Sequence, residues 1–98
     1  MGERGQILMK NSNVYLYTHW SGHRLKEIIK EALSKKWRWS DEEYLTRIIF
    51  EVMIDKERNT ETGFGIGTVE HSDLNYPLVV IDVKNQKVGK KSFEEFIK

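Results

Sequence analysis

Two short β-rich runs open the chain, residues 6–10 (QILMK) and 14–18 (VYLYT), with Asn11, Ser12 and Asn13 between them. Asparagine tolerates positive φ and serine bonds local backbone, so the join predicts a tight hairpin. Along the second run Val14, Leu16 and Thr18 share one face, and Tyr15, Tyr17 and His19 share the other. The period then changes. Leu25, Ile28, Ile29, Ala32 and Leu33 stand at i, i+3, i+4, i+7 and i+8, the apolar stripe of a helix over about residues 23–35. Ser21 is its expected N-cap. The segment 35–39 (KKWRW) connects to Ser40, Asp41, Glu42 and Glu43, which reads as a capping box. Tyr44, Leu45, Ile48, Ile49, Val52 and Met53 then predict a second helix over 41–54.

Residues 55–62 (DKERNTET) are polar and read as a loop, followed by the glycine-rich run 63–69 (GFGIGTV). Residues 78–83 (LVVIDV) form a continuous apolar run, predicting a central strand covered on both faces. Pro77 precedes it, where a missing N–H is harmless. Residues 70–77 are expected to close a second, long-looped hairpin between these two strands. A short strand is expected after residues 84–86. Ser92 and Glu95 then form a capping box ahead of a brief terminal helix carrying Phe93, Phe96 and Ile97.

The order β-β-α-α-β-β-α predicts one α+β domain over residues 1–98. Two β-hairpins form a mainly antiparallel sheet, with a helical hairpin packed on one face. Leu16, Leu25, Ile28, Ile29, Leu33, Leu45, Ile48, Ile49, Val52, Val80 and Ile81 are the expected core.

Composition narrows the function classes. Hydrophobic residues make up 39% and charged residues 32% of the 98 positions, as in a globular domain. The formal net charge of +1 gives no general pull toward nucleic acid, which is therefore not an expected partner. The absence of cysteine excludes disulfides, thiolate metal sites and cysteine nucleophiles. No apolar run approaches a membrane span and no secretory h-region opens the chain, so a cytoplasmic protein is expected. Eleven aromatic side chains (three Trp, four Tyr, four Phe) are many for so small a core, which predicts a homo-oligomer with Trp37 or Tyr76 at its interface.

Chemistry-bearing motifs are few. In residues 62–67 (TGFGIG) the spacing G-x-G-x-G departs from the dinucleotide fingerprint, and no Gly-Lys-Ser/Thr follows as in a phosphate loop. Along a strand, Gly65 and Gly67 leave one face bare, for close packing by a helix or for a ligand. His19 and His23 are four apart, but Ser21 and Gly22 interrupt the helix between them, so no metal site is expected. No G-x-S-x-G occurs and no carboxylate pair stands out, so neither a catalytic residue nor a cofactor is assigned. In KKWRW, cations beside tryptophans suit either single-stranded nucleic acid or the packing of a helix–helix turn, and the balanced charge favours the turn.

Several motifs together carry a resemblance. Residues 1–5 (MGERG), 15–22 (YLYTHWSG), 38–50 (RWSDEEYLTRIIF) and 62–66 (TGFGI) are similar to a family of small proteins of phages and microbial genomes. The similarity covers about residues 1–88 and omits the last ten. It implies a phage or mobile-element context and an ordered role for Arg4, His19 and Trp20. It carries no catalytic residue over.

Two functions follow as expectations. One is a small ligand-binding module for a nucleotide or another anionic small molecule. The other is a factor that binds a host protein through an exposed aromatic surface. For the first, the stretch 13–22 (NVYLYTHWSG) suggests a site. A helix N-terminus after Ser21 and Gly22 welcomes an anion, and Gly22 admits it to the backbone. Tyr17 and His19 line one strand face, Trp20 offers a ring for stacking and Arg4 supplies charge. Gly65, on a bare strand face, is the last expected ligand-binding residue.

Overall fold

In the computed structural model, which describes residues 3–55 and 61–98, β1 (Gly5–Met9) lies inside a six-stranded sheet. β2 (Val14–Thr18) pairs with it antiparallel, Ile7 opposite Leu16. The hairpin turns at Asn13, whose φ of 58° is the left-handed conformation asparagine tolerates. Then follow α1 (Leu25–Ser34) and α2 (Glu42–Ile54), joined through the KKWRW turn. β3 (Phe64–Gly67), β4 (Val79–Asp82), β5 (Lys87–Val88), β6 (Lys91–Ser92) and α3 (Phe93–Phe96) complete the chain. The loop expected at 55–62 falls largely on residues 56–60, outside the described residues.

The strand order is β3-β2-β1-β4-β5-β6, and every pair is antiparallel except β1 with β4. This is the expected α+β fold with a mainly antiparallel sheet. Its second hairpin, however, is β4–β5. The 63–69 and 78–83 strands do not pair: β3 adds to the outer side of β2, and β4 pairs parallel with β1. The intervening segment crosses from one side of the β1–β2 hairpin to the other. Strands stand about 4.8 Å apart, so the eleven residues from 68 to 78 span that distance easily. Sequence alone does not distinguish such a crossing from a long hairpin loop.

Helix caps differ from expectation at two of three positions. Ser21 makes no side-chain cap; a single 3₁₀ turn (Gly22–Arg24) precedes α1. At α2 the capping residue is Asp41, which accepts from the Tyr44 amide at 3.2 Å, and not Ser40. At α3 the Ser92–Glu95 box is complete.

Both long helices bury their stripes against Ile7, Met9, Leu16 and Ile81 of the sheet. Nine of the eleven expected core residues are buried; Val52 and Val80 are half-buried. Val80 is half-buried because no helix covers that side, so the 78–83 run is central but not covered on both faces. Phe93, Val88 and Val83 join the core from the chain's last quarter. Trp39 seats the helix turn, its indole N–H donating to the Leu33 carbonyl at 3.1 Å and its ring edge-on to Phe93. Trp37 stays 58% exposed beneath the Lys35 ammonium. KKWRW therefore packs a turn.

Ile49 is fully buried whereas Val52 is half-buried. Ile49→Ala should cost about 2–5 kcal/mol in urea denaturation, and Val52→Ala clearly less. A second expectation concerns Asp82. The Asn85 side-chain amide, 2.8 Å away, holds its carboxyl below the usual range. Burial opposes this, while the Asn85 backbone, Asn11 and Lys10 reinforce it. The folded state thus releases this proton more readily than the unfolded state, so its contribution is full near neutrality and fades as pH falls through the folded pKa. The stability gap between wild type and Asp82→Asn should therefore be widest at neutral pH and narrow in acid.

Candidate functional site

The β1–β2–β3 register gathers four of the expected site residues at one end of the sheet. Tyr17 stands between Gln6 on β1 and Gly65 on β3. Its hydroxyl hydrogen-bonds the His19 Nδ1 at 3.0 Å. Arg4, just ahead of β1, lies close enough to act on the phenol. Burial raises the Tyr17 pKa, Arg4 partly offsets this and Asp73 adds to it. A residue outside the expected set completes the group: the His71 imidazole stacks on the Tyr17 ring, centroids 4.6 Å apart and planes 16° from parallel.

Arg4 is committed to the chain itself. Its Nε donates to the Asp73 carbonyl at 3.1 Å and faces that residue's carboxylate at 3.5 Å. Its backbone N–H donates to Asn75 Oδ1, and its carbonyl accepts from the Asn75 and Tyr76 amides. Gln6, only 1% exposed, works beside it: its amide donates to the Val69 carbonyl and accepts from the His71 N–H at 2.9 Å. Together they pin the crossing segment to β1.

The helix start is likewise occupied. The Gly22 N–H donates to the Glu3 carbonyl at 2.7 Å. A side chain at position 22 would strike Glu3, Arg4 and Tyr76, so this glycine serves close packing of the N-terminal segment. Ser21 is buried, its N–H bonded to Thr18 Oγ1. Trp20 turns away from Tyr17. It lies against Gly63, where no side chain fits, and meets Phe64 edge-on at 5.9 Å. The anion pocket expected between Ser21, Gly22 and Trp20 is thus filled by the chain's own backbone.

Gly65 and Gly67 behave differently. Opposite Tyr17 and Tyr15, on the face no helix covers, neither would bring a Cβ within 4 Å of any described atom. The helix-packing account of these glycines therefore does not hold.

A larger concavity lies on the far side of β1. It encloses about 690 Å³ between the start of α1, the 76–80 segment, the β5–β6 turn and α3. That volume is within the usual range for small-molecule sites. Leu25, Leu78, Val79, Val88 and Phe96 supply apolar walls. Lys26, Lys90 and Lys91 stand around it, and none has an ion-pair or hydrogen-bond partner among the described residues. At one end Tyr76 donates to Glu3 Oε1 at 3.0 Å, and His23 meets the same oxygen at 2.8 Å. That bond to a carboxylate, with burial and the Glu3 charge, raises the Tyr76 pKa and keeps the phenol a neutral donor. Of the expected site residues, Gly22 alone lines this cleft. The lysines escaped sequence reasoning because they lie 64 positions apart (26 and 90) on elements joined only by the tertiary fold.

No family model matches the chain, and no curated protein or solved structure matches it. Among the described residues no group of three or more His, Asp or Glu is placed to hold a metal ion, and no helix is long and apolar enough to cross a membrane.

The open space at position 65 has a measurable consequence. Gly65→Val adds strand propensity without a clash, so thermal unfolding should show unchanged or raised stability, by up to about 1 kcal/mol. A loss larger than that would show the face is occupied.

Proposed function

We propose that this chain is a small binding module for an anionic small molecule, held in the cleft beside α1, with a nucleotide as the ligand class to test first. The observation that supports the reading is the set of three lysines, Lys26, Lys90 and Lys91, unpaired among the described residues and placed around an apolar cleft of about 690 Å³. Ammonium groups left without internal partners offer charge to a ligand at little desolvation cost. The apolar walls and the Tyr76 ring suit a flat or hydrocarbon body, while the lysines suit a phosphate or carboxylate. The site moves from the Tyr17–Trp20 end of the sheet to the opposite side of β1, because there the chain's own groups do not fill the space. A cytoplasmic setting and a phage or mobile-element context are part of the proposal; the latter rests on the motif resemblance.

Calorimetry with AMP, ATP and unphosphorylated adenosine tests it. AMP or ATP should bind saturably and more tightly than adenosine. The Lys26→Gln/Lys90→Gln/Lys91→Gln variant should bind about tenfold or more weakly, roughly 1.4 kcal/mol. Higher salt should reduce binding to wild type more than to the variant. His19→Ala serves as a control away from the cleft. No binding across the panel, or a lysine variant that binds as wild type does, would sink the reading.

A further inference from the structure

The sheet has two edges, and they are built differently. β6 is two residues long, with Lys91 in it and Lys90 just before it, the short and charged edge that resists strand addition. β3 and its continuation read Phe64, Gly65, Ile66, Gly67, Thr68, Val69, with no charge and no proline. Ile66 is 62% and Val69 70% exposed. The 40%-exposed Trp20 lies at the same edge, on Gly63 and Phe64.

The hydrogen-bond pattern shows which backbone groups this edge presents. The His19 N–H donates to the Gly63 carbonyl at 2.8 Å, so that pair is a bonded one. Bonded and non-bonded pairs alternate along an antiparallel ladder. Given the register Tyr17 with Gly65 and Tyr15 with Gly67, residues 63, 65 and 67 spend their backbone groups on β2. Phe64 and Ile66 turn theirs outward, where no described group meets them; β3 ends at Gly67 and Thr68 follows as a bend.

We infer that this edge binds a second copy of the chain, β3 pairing antiparallel with β3 about a twofold axis at Ile66. Only pairings that keep like faces together are allowed in a continuous sheet. Centring on Ile66 meets that condition. It sets Ile66 against Ile66 as a bonded pair with Gly65 against Gly67 on either side, and brings each Phe64 opposite the bend at Thr68 of the other copy. The outward Ile66 groups of both copies are then satisfied by one operation, with no like charges opposed. On the helix side the two isoleucines cover one another and Trp20 adds apolar area. On the other side the glycines of both copies form a flat floor between the Tyr15 and Tyr17 pairs. A second copy fits better than a foreign strand because the edge is self-complementary in both hydrogen bonding and side-chain size. A four-residue strand is a small contact, so association in roughly the micromolar range is expected.

Sedimentation velocity and light scattering from micromolar to near-millimolar protein test this, with amide exchange as a second readout. Wild type should reach dimer mass, and the Ile66 amide should gain protection as concentration rises. Ile66→Lys places two ammonium groups at the axis and should raise the dissociation constant about tenfold or more, with circular dichroism unchanged because residue 66 is exposed. Ile66→Thr, which keeps strand propensity, should fall between the two. Monomer mass at every concentration overturns the inference, as does a dimer that Ile66→Lys leaves intact.

Discussion

The arrangement depends on how residues 68–78 are held as they cross the first hairpin. After β3 the chain must pass two strands before β4 can begin. Gln6 and Arg4 fasten that passage to β1: the Gln6 amide bonds on both sides of Glu70, and Arg4 binds residues 73, 75 and 76 through side chain and backbone. A loop of this length lying on a sheet would otherwise leave backbone polar groups poorly satisfied against it. Both fasteners sit at the start of β1, so the first strand organises its neighbour from the chain's second half.

Three consequences follow from that crossing. β4 is delivered beside β1 in the parallel sense, where Ile81 enters the core with Ile7 and Met9. His71 arrives over Tyr17, and Tyr76, Pro77 and Leu78 become one wall of the cleft opposite Lys26. β3, no longer needed by β4, is left as the outer strand of the sheet. Cleft and open edge are thus two results of one topological choice. They lie on opposite sides of the β1–β2 hairpin, so occupation of one does not obstruct the other.

The electrostatics divide along the same line. Near Tyr17 the cations are matched internally: Arg4 faces Asp73, and farther along the sheet Lys10 faces Asp82. Exposed pairs of this kind contribute little stability, but they remove the charge that a ligand would need. Around the cleft Glu3 is engaged by Tyr76 and His23, while Lys26, Lys90 and Lys91 remain unmatched among the described residues. A net charge of +1 conceals this asymmetry, because composition counts charges without regard to their neighbours.

Local patterning alone determined the elements: the Asn-rich hairpin, the stripes of α1 and α2, the Ser92 box and the α+β class all rest on interactions within a few residues of one another. It also placed Arg4, Tyr17 and His19 together, since hairpin register and strand alternation are local rules; Gly65 joined them only through the β2–β3 pairing. The tertiary structure decided what those residues do. Which carbonyl meets the Gly22 N–H, which acid meets Arg4, and whether a helix lies over Gly65 are non-local matters; the first two contacts join residues 19 and 69 positions apart. The same holds for the β4 partner, which is β1 in the parallel sense and not β3 in an antiparallel hairpin, with side-chain bonds from Gln6 and Arg4 holding the crossing segment. No periodicity encodes such bonds, because each joins single residues across the fold and not repeating positions along it.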